Sequence, residues 1–245
     1  MTPEETRALI VPYQMEHEEA TMSFEKTFKL YCPVINSGKR CSKEQLLDNV
    51  RSCMEFNGRH QGTVIGHDYA SIRISAKQSR LQSARICRIA EMFYDYAVEG
   101  IWPDPERVEE GGHVEDHISD LGYISGVSRV GYELFGDEGP LLIEKILGMT
   151  LVRNEIYARV AGAAIYEDYI IPEIEHFPLQ YIALLAQMNE KAVRNATQPK
   201  AKDRLETIKV GAKTMVTHEE ALRWLSNRRN FKPTVIPDSV RSQAH

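Results

Sequence analysis

No nucleotide-binding fingerprint occurs in this chain. It has neither G-x-G-x-x-G nor a Walker phosphate loop, so the sequence points to no dinucleotide cofactor and no P-loop NTPase. Gly58-Arg59-His60-Gln61-Gly62 lacks the lysine and the following helix cap that a phosphate loop needs. A G-x-S-x-G nucleophile elbow is missing too. Cysteine is scarce: Cys32, Cys41, Cys53 and Cys87, with no C-x-x-C pair, which argues against a zinc ribbon or a thioredoxin-type site. No apolar run approaches the ~18–20 residues needed to cross a bilayer. Met1–Arg7 is acidic and polar rather than basic and then apolar, so no secretory signal is expected. The expected setting is the cytoplasm, or a virion for a coat protein, with reduced thiols and no membrane partner. The sequon Asn195-Ala196-Thr197 is then idle.

Acidic residues are missing from one place in particular. Tyr69 to Ala90 contains no Asp or Glu and five cations: Arg73, Lys77, Arg80, Arg85 and Arg88. Around this gap the charge is strongly segregated. Residues 95–175 hold 18 acidic and 5 basic side chains, whereas residues 190–245 hold 12 Lys/Arg against 6 Asp/Glu. The overall net charge of −5 conceals that layout. Blocks of opposite sign suit partners of opposite sign, or one another.

The remaining composition is that of an ordinary globular protein: 245 residues, 42% hydrophobic, enough to bury a sizeable core. Helical signals dominate. Thr2-Pro3-Glu4-Glu5 reads as a helix start, and Tyr13 to Tyr31 as a helix stopped by Cys32-Pro33. Ser42-Lys43-Glu44-Gln45 is a capping box opening a helix that Gly58 should close. Residues 60–75 form the one plausible extended segment. Residues 76–98 are amphipathic: Ile86, Ile89, Ala90, Phe93 and Ala97 share one arc, and Lys77, Arg80 and Arg88 the opposite one. Gly111-Gly112 and Gly122–Gly131 predict an irregular middle with short helices. Helices are expected over 141–169, 179–195 and 203–215, with a linker at 196–202 and a capped helix from Thr217. From Phe231 onward Pro233 and Pro237 predict an arm, flexible or laid on a neighbour. The expected fold is all-α: a helical core over residues 1–195, then basic C-terminal helices and an arm over 196–245.

Three constellations carry chemistry. The first is the cationic face of helix 76–98, suited to a phosphate backbone, with Phe93, Tyr94 and Tyr96 available for base stacking. The second is the basic C-terminal region, from Lys200, Lys202, Arg204, Lys209 and Lys213 to Arg223, Arg228, Arg229 and Lys232. It suits the same polyanion, or the acidic 95–175 surface of a second copy. The third is metal. Glu110-x-x-His113 and Glu173-x-x-His176 have di-iron spacing, with Glu19 or Glu91 as further donors, and His113 and His117 lie one helical turn apart.

The leading expectation is a non-enzymatic, self-associating helical protein without cofactor that binds single-stranded RNA, with a nucleocapsid-like or coat-like physical profile. Arg73, Lys77, Arg80, Arg85, Arg88, Arg228 and Arg229 would contact nucleic acid. Homo-oligomers would form through the acidic 95–175 and basic 196–245 surfaces. The alternative is a helical-bundle iron or zinc enzyme using His113, His117, Glu173, His176 and Glu91. A plain scaffold for an acidic protein is the third class.

Overall fold

A computed structural model describes residues 24–35, 38, 40–64, 76–108, 110, 112–135, 139–165 and 175–241, with side chains left out at 57–64, 76–83, 134–135 and 241. The expected N-terminal helix start, Glu19, the extended segment beyond Val64, Arg73 and Glu173 lie outside the described residues. The chain is mostly helical with one small three-stranded sheet, so the all-α expectation holds only in its coarse form. It divides into two compact units. One takes in Cys41–Met92 and Asp104–Glu144, the other Thr21–Arg40, Phe93–Pro103 and Lys145–His245. Residues 196–245 therefore share a unit with segments from much earlier in the chain.

In the first unit, α2 (Lys43–Val64) follows the short α1 (Phe24–Tyr31) in sequence. The capping box forms reciprocally: the Ser42 amide donates to Gln45 Oε1 at 3.1 Å, and the Gln45 amide to Ser42 Oγ at 3.2 Å. The helix does not stop at Gly58 but continues to Val64. An interior glycine costs only about 1 kcal/mol, which packing easily outweighs. The amphipathic segment becomes α3 (Ala76–Tyr94), and all five residues of its apolar arc are buried. The middle of the chain is not irregular. It forms α4 (Val114–Phe135), 22 residues long despite its glycines. Their use is close approach: Gly131 sits on the ring of Phe56, which packs among Val127, Val130 and Tyr123. Arg129 makes a bidentate pair with Glu144, its Nε donating to Oε1 at 2.8 Å. Burial raises the Glu144 pKa, and the guanidinium opposes that.

In the second unit, α3 passes into a π-helical turn (Asp95–Glu99) that ends at Gly100 with φ 71°. A side chain there would also meet the Pro233 carbonyl oxygen at 2.5 Å, so only glycine fits. Helix α5 (Leu141–Ala161) is shorter than expected because Gly162, at φ 61°, ends it; past the glycine the Ala163 amide donates back to the Tyr157 carbonyl at 3.2 Å. The expected helix 179–195 is two, α6 (Leu179–Ala186) and α7 (Glu190–Ala196). They are broken at Gln187 (φ 50°) and restarted by Asn189, whose side chain accepts from the Lys191 amide.

The expected helix 203–215 is instead a hairpin. Strands β2 (Ile208–Val210) and β3 (Lys213–Val216) turn around Gly211 at φ 57°, and β1 (Phe177–Pro178) adds antiparallel to β3. The alternation of Ile208, Lys209 and Val210 is a period of two, and the glycine supplies the turn. Helix α8 (His218–Ser226) is capped by Thr217 Oγ1 and anchored by Trp224, whose Nε1 donates to the Asp203 carbonyl at 3.1 Å. The chain after Phe231 is laid on its own unit rather than hanging as an arm. Ile101 and Val235 form a parallel bridge, and the short α9 (Asp238–Arg241) follows.

Candidate polyanion-binding surfaces

The cationic face of α3 is only partly exposed charge. Lys77 and Arg80 lie in its first turns, where side chains are outside the described residues. Arg85 is neutralised within its own unit, Nη1 donating to Asp120 of α4 at 2.6 Å with both side chains only partly exposed. Arg88 is exposed, and among the described residues its guanidinium makes only a long bond to a neutral acceptor, the Val108 carbonyl at 3.4 Å. Outward-facing, unspent charge thus fails at Arg85 and holds at Arg88. Base stacking fails altogether. Phe93, Tyr94 and Tyr96 are all buried, because the apolar arc of the helix carries them inward.

The basic C-terminal region is similarly mixed. Arg228 is committed internally: it pairs with Asp203, stacks 4.1 Å over the Trp224 ring, and donates from Nε to the Trp224 carbonyl. Burial lowers its pKa. Arg223 binds both Glu220 and Asp203, and Lys232 pairs with Glu99. Among the described residues the Arg204 side chain reaches only the Thr197 carbonyl, at 3.4 Å. Lys200, Lys202 and Arg229 are exposed and have no carboxylate partner among the described residues. Asp203 and Glu220 already stand in the segment's balance of 12 to 6, so these pairs leave its net charge unchanged and lower only the number of free cations; Glu99, from outside it, offsets one charge more.

A concave basic surface that the sequence did not announce lies in the second unit. It is a cleft of about 530 Å³ between the end of α1, the start of α6, α7 and the hairpin. Lys29, Arg194, Lys209 and Lys213 reach it, as do Glu25 and Glu190. Lys29 drew no notice because a lone lysine in a helix's last turn has an ordinary local role. Only the hairpin, read from sequence as a helix, brings Lys209 and Lys213 opposite it.

The metal-ligating candidates that lie among the described residues form no cluster. His117 is fully buried and neither ring nitrogen has a hydrogen-bond partner among the described residues; burial lowers its pKa, with the Pro105 backbone working the other way. His113 is exposed, Glu91 is half-buried, and His176 Nδ1 lies 3.9 Å from Glu175. Among the described residues no three His, Cys, Asp or Glu groups come together. Among them, too, no helix is long and apolar enough to cross a membrane. Comparisons of the chain with protein-family models, with curated proteins and with solved structures find no match.

Proposed function

We propose that this is a non-enzymatic helical protein that binds the phosphate backbone of single-stranded RNA without reading bases, and that self-associates. The observation that supports it is that each unit has exposed cations with no carboxylate partner among the described residues, among them Arg88 in the first and Lys200, Lys202 and Arg229 in the second. Such groups neutralise phosphates and release counterions, an interaction indifferent to sequence. Arg85 and Arg228 are left out of the contact set because their charge is already met by Asp120 and Asp203. With the α3 aromatics buried, stacking contributes little, so affinity is electrostatic and salt-sensitive. Exposed acids at Glu106, Glu110, Asp116 and Glu133 offer a second copy's basic surface a complementary face.

The test is an anisotropy titration of a fluorescent 5′-hydroxyl oligoribonucleotide at several salt concentrations. Binding should weaken with a log–log slope of about −0.7 per phosphate contact, or roughly −3 for four contacts. Arg88→Glu with Arg229→Glu should reduce affinity at least tenfold, since each reversal replaces an attraction by a repulsion. A flat salt dependence, or a double variant that binds like the parent, refutes the reading. Sedimentation at several concentrations tests self-association, and a strict monomer throughout removes that part.

A further inference from the structure

The cleft of the second unit has a composition that backbone binding alone does not use. Four cations and two carboxylates reach it. Arg194 and Glu190 satisfy each other at 2.6 Å. Lys209 Nζ donates to Thr214 Oγ1 at 2.7 Å, a neutral partner that places the ammonium without cancelling it. Lys29 and Lys213 have no carboxylate within ion-pair distance among the described residues, and Glu25 is the one further acid on the rim. The surplus is two positive charges in a concavity. The lining also holds apolar and aromatic groups: Pro178, Leu179, Tyr181 and Met215. Burial, with Glu25 adding to it, pushes the Tyr181 hydroxyl up to about 12, so it stays a neutral O–H. The volume, about 530 Å³, lies in the range of small-molecule sites.

We propose that this cleft binds a phosphate monoester carried on a flat or apolar body of mononucleotide size. Lys29, Lys209 and Lys213 would hold the phosphate, and Leu179, Tyr181 and Met215 would face the body. The charge count selects the monoester. A terminal phosphate carries about −1.5 to −2 at neutral pH and matches the surplus, whereas an internal diester carries a single charge. The hairpin makes the site, since Lys209 and Lys213 flank its turn and Thr214 fixes one of them. Two sources share this chemistry: a free mononucleotide, and the phosphorylated end of a strand. The second source rests on the RNA reading above; the first does not.

The experiment is calorimetric titration of the full chain with adenosine 5′-monophosphate and with adenosine, then with one oligoribonucleotide bearing either a 5′-phosphate or a 5′-hydroxyl. The monophosphate should bind and adenosine should not. Lys29→Gln with Lys213→Gln should weaken the monophosphate roughly tenfold or more, the scale of two lost charge-assisted contacts partly screened by solvent. Both side chains are exposed, and unchanged circular dichroism confirms that the variant folds. A strand preferred when phosphorylated identifies the strand end as the source; equal strands with a bound monophosphate identify the free nucleotide. If monophosphate and adenosine behave alike, or the double variant binds the monophosphate like the parent, the proposal is overturned. The 5′-hydroxyl strand separates the two readings. Its binding depends on Arg88 and Arg229 rather than on Lys29 and Lys213, so either can fail alone.

Discussion

Arg153 carries the sharpest test of how the second unit holds together. It is 1% exposed, on α5, with no carboxylate ion pair among the described residues. Its guanidinium instead donates to three neutral acceptors: the Lys232 carbonyl and Thr234 Oγ1, each at 2.8 Å, and the Ala97 carbonyl at 3.1 Å. It also lies 4.4 Å over the Phe231 ring and 5.9 Å from the centre of Tyr96. One turn along α5, the Tyr157 hydroxyl accepts from the Thr234 amide at 2.6 Å. One buried cation therefore ties the π-helical turn to the segment after Phe231. Burial lowers its pKa, with Tyr96 and Tyr157 working against that. In Arg153→Met the stem still fills space, but three acceptors lose their donor at about 1 kcal/mol each. Relief of an uncompensated buried charge offsets part of this. The expected net loss is about 2–3 kcal/mol, or roughly 4–12 °C in Tm for a chain of this size. Trp102 and Trp224 are the chain's two tryptophans and both lie in the second unit, so urea unfolding followed by tryptophan fluorescence reports on it alone. The Val235 amide, which donates to the Gly100 carbonyl, should also exchange faster in the variant. An Arg153→Met protein as stable as the parent would mean that desolvation cancels the three bonds, and that packing of Phe231 and Ile236 holds the segment instead.

Two further perturbations test the fold. His218 is buried edge-on to Phe177, with burial and then Arg159 lowering its pKa to about 4; Glu219 works against that and His176 with it, while Glu155 lies 3.8 Å from Nε2. The unfolded histidine titrates near 6.5. Between about pH 6.5 and 4 the unfolded chain therefore holds a proton that the fold does not, so stability is complete above 6.5 and falls as pH drops. Glu155, raised by burial, has the opposite sign in its own window. His218→Gln should flatten the acid-side loss by on the order of 1–2 kcal/mol between pH 7 and 4.5, read by urea midpoints; parallel profiles for parent and variant would exclude His218 as the cause. In the first unit, Gly131→Ala places a methyl group on the Phe56 ring, and overpacking of this kind costs about 1–3 kcal/mol against a propensity gain of about 1. Thermal melts followed by circular dichroism should show a lower Tm, and a raised Tm would show that α2 and α4 can part to admit it.

What the sequence made legible was local. Ser42-x-x-Gln45 and Thr217-x-x-Glu220 carry their own hydrogen-bond partners within one turn, and both caps form where the spacing put them. The inward arc of α3 needed only a period of 3.6. Errors arose where a glycine had two readings. At Gly58 and through α4 it reads as a break, yet both helices run on, and at Gly131 the ring of Phe56 from α2 takes up the space. At Gly211 it was read as part of a helix, yet the chain took φ 57° and turned back on itself. Which reading wins depends on what packs alongside, and no window of sequence contains that neighbour.

Charge obeys the same limit with a different consequence. A helical wheel shows that Arg85 and Arg88 leave the apolar arc, but not that Asp120, 35 residues away, waits beside one of them and a bare carbonyl beside the other. A count of a block's cations therefore overstates how many a partner meets. The C-terminal block loses Arg223, Arg228 and Lys232 to Asp203, Glu220 and Glu99 before any ligand arrives. What survives is set by topology: exposed cations such as Arg88, Lys200, Lys202 and Arg229, and a cleft where a hairpin faces the end of a helix. In the cleft the surplus charge stands among apolar groups, which is why a compact phosphate monoester rather than an internal strand phosphate is the ligand proposed for it. It is also why Lys29→Gln with Lys213→Gln should leave binding of a 5′-hydroxyl strand unchanged; a parallel loss of both ligands would mean that a single basic surface serves for both.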